Sequence, residues 1–91
     1  MDFEWDDGKD ESNYKKHGIR FAEAVSIWGD DYALDFHDVI HSVDEHRFIK
    51  IGRSLKNRIL VVIYCERHSG VMIRIISVRK ATKSEVIDYE K

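Results

Sequence analysis

Ninety-one residues with 43% hydrophobic content and a formal charge of −2 describe one small domain, which buries roughly 60–65% of its unfolded surface around a modest core. No apolar run approaches the ~18 residues of a membrane span, and the opening "MDFEWDDGKDES" lacks the basic and apolar regions of a signal peptide. Cys65 is the lone cysteine, which excludes an internal disulfide and leaves too few thiols for a zinc cluster, so a cytoplasmic protein without structural metal or cofactor is expected.

The chain opens with "FEW" (3–5), a short apolar segment suited to an edge strand. Asp6 or Asp7 then caps a helix that runs to His17. Acidic residues lie near its start, Lys15, Lys16 and His17 at its end, and Gly18 just beyond. "RFAEAVSIWG" spaces Phe21, Ala24, Val25 and Trp28 as a second helix with Gly29 as its stop, although Arg20 stands where a capping side chain belongs. "YALDFHD" predicts a weak strand, and "VIHSVDEH" a polar connection. "RFIKIGRS" (47–54) predicts a strand ended by the turn "SLKN". "RILVVIYCER" (58–67) is apolar throughout, as a central strand is. After "HSG" the chain returns as "VMIRIISVRK" (71–80), giving an antiparallel meander. Thr82 and Glu85 form a capping box for a last helix ending near Tyr89. The expected class is α+β: an N-terminal strand and two helices packed on a three- to four-stranded antiparallel sheet, with a short C-terminal helix.

Charge is divided unevenly. Residues 1–46 carry a net −9 and residues 47–91 a net +7. Such a split suggests a face that binds a polyanion or an acidic partner, or two halves that neutralise each other across the fold. In the last strand, strict alternation puts Ile73, Ile75, Ser77 and Arg79 on one face and Met72, Arg74, Ile76 and Val78 on the other. Arg74 among apolar neighbours needs a carboxylate or an outside anion, and Glu66 across the hairpin is a plausible mate. Glu66 and Arg67 end one strand, whereas Arg79 and Lys80 end its neighbour, so the two pairs fall at opposite ends of the hairpin. Arg47 falls near the 66–67 end. Lys50 and Arg53 approach the middle and the far end, so that the cations line a groove suited to a single-stranded polynucleotide.

Among His37, His41 and His46, His46 is a candidate general acid or base. Their spacings match metal ligation only on a helix, and this segment reads as strand and loop. Cys65 alternates with Ile63 and Val61 as a small core residue. Phe21 and Trp28 read as helix core, and no glycine-rich nucleotide motif occurs.

Taken together, "FEWDDGKDESNYKKHGIRFAEAVSIW", "HSVDEHRFIKIGRS", "ILVVIYCER" and "IRIISVRKATKSE" resemble the BrnT toxins over nearly the whole chain. Arg20 departs at a helix cap, and Cys65 stands where a Thr is more usual. The resemblance implies a RelE-like α+β ribonuclease of a type II toxin–antitoxin system that arrests translation by cleaving RNA. It implies a BrnA-like antitoxin with a ribbon-helix-helix region, operator DNA bound through that antitoxin, and no membrane. The family's charged positions correspond to Glu66, Arg67, Arg74 and Arg79, with Lys50 and Lys80 beside them. Since RNA supplies its own 2′-hydroxyl nucleophile, no metal is required. Arg79 and Arg67 are expected on the phosphate or its transition state, Glu66 as general base, and His46 as a second candidate. Lys50, Arg53, Arg74 and Lys80 are expected to bind RNA. A binding module that acts as a corepressor without cleaving is the alternative.

Overall fold

A computed structural model describes residues 1–39 and 46–91; the expected connection at 39–46, with His41, lies mostly outside the described residues. The elements are β1 (Asp2–Glu4), α1 (Asp7–His17), α2 (Phe21–Val25) continued by a 3-10 turn (Ser26–Gly29), β2 (Leu34–His37), β3 (Arg47–Arg53), β4 (Ile59–Arg67), β5 (Met72–Lys80) and α3 (Lys83–Glu90). One sheet contains all five strands in the order β1-β5-β4-β3-β2. The β2–β5 strands form the expected antiparallel meander, but β1 pairs with β5 in parallel, with Phe3 opposite Ile73. The sheet is therefore mixed and five-stranded rather than antiparallel with three or four strands. β1 joins from the far end of the sequence to cover the open edge of β5, a pairing no local pattern encodes.

Local chemistry sets the helix ends. The Asp6 side chain accepts from Lys9 N–H at 2.9 Å, and Gly18 closes α1 in the left-handed region at φ 71°. The missing cap of α2 comes from the neighbouring helix: Asp10 Oδ1 accepts Phe21 N–H at 2.8 Å, and Arg20 binds Glu11 at 2.8 Å. Thr82 and Glu85 make the expected reciprocal capping box at the start of α3.

The helices α1 and α2 cover one face of the sheet. Ile19, Phe21, Ala24 and Ile27 pack there on Leu60, Val62, Tyr64, Ile73, Ile75 and Val78. Edge-to-face contacts join Phe3 to Trp28 and Trp28 to Tyr64 at centroid distances of 5.1 and 4.9 Å. Gly52 is required by close approach, because a Cβ there would meet Ile27 Cβ at 3.0 Å and Ala33 Cβ at 3.2 Å. Glu23 is buried, yet it accepts from Ser54 Oγ at 2.7 Å and is clamped by the Arg58 guanidinium, so the β3–β4 turn is tied to α2.

Two features of β5 shape the face away from the helices. β1 pairs only with Met72, Ile73 and Arg74. Farther along the same edge, the buried Asn13 amide stands in for a strand: Val78 N–H donates to its Oδ1 at 3.1 Å, and its Nδ2 donates to Val78 O at 2.9 Å and Ile19 O at 3.0 Å. The second feature is a register shift. Tyr64 faces Ile75 and Ile63 faces Ser77, so Ile76 is an extra residue, a β-bulge.

Candidate active site

The bulge corrects the strand-parity reading of the cations. Strict alternation separates Arg74 from Arg79, but one inserted residue restores a shared face. Arg74 is opposite Cys65, Ser77 opposite Ile63, and Arg79 opposite Val61, and these three β4 residues alternate on the face away from α1 and α2. Arg47, Ile49, Ile51 and Arg53 lie on that same face, opposite Cys65, Ile63, Val61 and Ile59. Arg67 follows Cys65 two residues on. All five arginines of β3, β4 and β5 thus belong to one face of the sheet. The strand arginines of the second half of the chain gather on the sheet face opposite α1 and α2.

An open groove of about 470 Å³ crosses this face, lined by Asp38, Arg47, Ile49, Ile63, Ile76, Ser77 and Arg79. Its apolar residues come from three adjacent strands, and the bulge directs both Ile76 and Ser77 into it. Arg47 and Asp38 enter from the β2–β3 side, where Asp38 N–H donates to Arg47 O at 2.8 Å. Arg79 enters from β5. Arg47, Asp38 and Ser77 are absent from the residues expected to act. Arg47 was legible, since alternation from Arg53 places it on the arginine face; Ser77 depends on the bulge.

Carboxylates at the margins hold several of these arginines. The expected Glu66–Arg74 pair does not form, because Glu66 is opposite Ile73 and belongs to the other face. Glu4 of β1 takes the role, 3.4 Å from Arg74 Nη1 and 3.6 Å from Arg67 Nε. Arg79 donates Nη1–H to Glu85 Oε1 at 2.7 Å and Nη2–H to Oε2 at 2.9 Å. This bidentate bond, reinforced by the Thr82 backbone N–H, holds the Glu85 carboxyl at a pKa of about 2. Arg53 lies over the Tyr89 ring of α3, 5.9 Å from its centroid, and its Nη1 donates to Asn57 at 2.7 Å.

The remaining expected residues lie elsewhere. Lys50 is opposite Val62 on the helix-side face and donates to both oxygens of Asp35 at 3.0 and 2.9 Å, with its ammonium 5.1 Å from the Trp28 centroid. Lys80, opposite Leu60, has the same parity but is exposed at the strand end. Glu66 shares the face of Tyr64, whose hydroxyl is pushed well above its usual range by burial and by the bond it donates to Asp35. His46 Nδ1 is 3.3 Å from His37 Nε2, and the His37 ring packs 5.4 Å from that of Phe48. His46, Arg47, Glu66 and Arg67 do share one end of the sheet, but Arg79 and Lys80 are at the other end of the hairpin. Among the described residues, no three His, Cys, Asp or Glu converge as metal ligands, and no helix is long and apolar enough to cross a membrane.

The family model of the ribonuclease toxin BrnT of type II toxin–antitoxin systems matches residues 5–85. The chain belongs to the BrnT family. It is accordingly a ribonuclease toxin of a type II system, in which a protein antitoxin is the partner. The BrnT-family fold agrees with the crystal structure of the Brucella abortus ribonuclease toxin BrnT. The two share 27% identity at a TM-score of 0.70, over 91% of this chain and 99% of that one. No curated protein matches the chain.

Proposed function

We propose that the arginine face binds single-stranded RNA and that the groove between Arg47 and Arg79 receives the phosphodiester to be cleaved. The observation that carries this reading is the gathering of all five strand arginines on one face around an apolar groove. Guanidinium forks match phosphate oxygens, and apolar walls accept the flat faces of unstacked bases. The 2′-hydroxyl is the nucleophile, so the reaction needs no metal. The protein's part is to hold the phosphate in line and to stabilise the charge that grows on its oxygens. Arg47 and Arg79 supply that stabilisation, while Arg53, Arg67 and Arg74 hold the strand on either side. Asp38 is the carboxylate lining the groove and the first candidate to accept the 2′-hydroxyl proton. Glu66 and His46, near Arg47 but directed to the helix side, are the second and third.

Cleavage of RNA arrests translation, and the antitoxin, a BrnA-like protein with a ribbon-helix-helix region, neutralises the toxin by covering the arginine face. Operator DNA is bound through the antitoxin's ribbon-helix-helix region, with the toxin's arginine face covered in the complex. The test is expression of the chain alone in bacteria. Arg79→Glu abolishes growth arrest, whereas Lys50→Glu, on the helix-side face, retains it if the fold survives. Full arrest by a folded Arg79→Glu variant overturns the assignment.

A further inference from the structure

The geometry points to Glu85 as a positioning residue that aims one particular edge of the Arg79 guanidinium into the groove. This rests on the reading of Arg79 as a phosphate ligand. A guanidinium offers two forks, an end-on pair from Nη1 and Nη2 and a side-on pair from Nε and Nη2. Glu85 occupies the end-on fork with bonds of 2.7 and 2.9 Å, and the other Nη1–H donates to Lys80 O at 3.3 Å. The side-on fork, Nε–H with the second Nη2–H, makes no hydrogen bond among the described residues. Two parallel donors are what two phosphate oxygens require. Arg79 lines the groove, so the edge that Glu85 leaves open is the one available to a ligand there.

Glu85 is itself fixed. Its Oε1 accepts Thr82 N–H at 2.8 Å, and its own N–H donates to Thr82 Oγ1 at 3.2 Å. The other end of α3 is tethered by Tyr89, whose hydroxyl donates to Asp30 Oδ2 at 2.5 Å, and that oxygen also accepts Arg53 N–H at 2.8 Å. No residue of α3 is fully buried, and these polar tethers fix both ends of the helix. The C-terminal helix thereby serves the groove: its capping carboxylate is also the brace of Arg79.

The test separates bracing from helix capping. Glu85→Gln retains an acceptor for Thr82 N–H, as Gln does in a capping box, but loses the paired carboxylate charge. Thr82→Ala removes the side-chain cap and leaves Glu85 facing Arg79. Single-turnover RNA cleavage, thermal melting and 15N NMR of the arginine side chains are measured on the full chain. Glu85→Gln is expected to slow cleavage at saturating RNA by about 10- to 100-fold and to merge the separate Nη1 and Nη2 resonances of Arg79. Thr82→Ala lowers the melting temperature but retains the cleavage rate and the split resonances. In an Arg79→Lys background, Glu85→Gln adds no comparable loss. Unchanged cleavage by Glu85→Gln alongside a defective Arg79→Ala overturns the bracing role alone. Unimpaired cleavage by Arg79→Ala overturns the reading of Arg79 beneath it. An equal loss from Glu85→Gln in the Arg79→Lys background shows that Glu85 acts elsewhere, and overturns the proposal.

Discussion

Asn13→Ala is expected to be among the most damaging single truncations of a polar side chain, through backbone groups that belong to other residues. The Asn13 amide makes three hydrogen bonds, to Val78 N–H at 3.1 Å, Val78 O at 2.9 Å and Ile19 O at 3.0 Å, and the residue is only 8% exposed. Truncation leaves one N–H and two carbonyls of the β5 edge and the α1–α2 connection without these partners. A desolvated group left unpaired costs about 1–3 kcal/mol, and carbonyls tolerate the loss better than N–H groups, so a total near 3 kcal/mol follows. For a domain of this size, about 4–8 °C per kcal/mol gives a fall in melting temperature of roughly 12–24 °C. Asn13→Asp separates hydrogen bonding from packing, because it keeps the shape but sets a carboxylate against two carbonyls. It is expected to be at least as damaging as Ala. Thermal melts followed by circular dichroism measure both. A fall under about 3 °C for Ala, or a neutral Asp, refutes the view that this amide completes the β5 edge. Function is coupled to the result, since β5 carries Arg74 and Arg79.

Deleting Ile76 removes the bulged residue yet preserves the pairing of Ile75 with Tyr64 and Ser77 with Ile63; the variant is expected to fold with Arg79 on its face and to cleave RNA more slowly, because Ile76 lines the groove, whereas cleavage at the parent rate shows that the bulge does not shape the site. Arg47→Ala is expected to shallow the salt dependence of RNA affinity by about one phosphate contact, a slope change near 0.7, while Lys50→Ala, whose ammonium is held by Asp35, leaves the slope unchanged. The pairing of Glu85 with Arg79 places its carboxyl at about 2, below the ordinary 4.5. A depressed acid pKa stabilises the fold above the unfolded value, so this contribution is whole above pH 4.5 and fades as pH falls toward 2. Melts of Glu85→Gln across that range are expected to fall less with acid than those of the parent.

Much of the fold was readable from residues that act locally. Asp6, Gly18, Thr82 and Glu85 end helices by their own chemistry, and the apolar run 59–65 could only be a central strand. Long-range features escaped for a physical reason. β1 pairs with a strand at the other end of the chain, Asp10 caps a helix that is not its own, and Asn13 replaces a missing strand. The site suffered most from the bulge. A period of two is reliable only while every residue pairs, and one extra residue at Ile76 reversed the phase between Arg74 and Arg79. Glu66 then lost its expected mate to Glu4. Lys50 had a different fault: its charge attracted notice, but its parity with Phe48 on the helix-side face was readable and decisive.

Direct action of the arginine face on RNA is tested most sharply by cleavage with purified protein in EDTA, on free and ribosome-bound RNA, comparing the parent with Arg47→Glu/Arg79→Glu. Cleavage by the parent in EDTA is expected, and none by the doubly reversed variant, with folding verified by circular dichroism. Cleavage at the parent rate by that folded variant contradicts a direct role for these arginines.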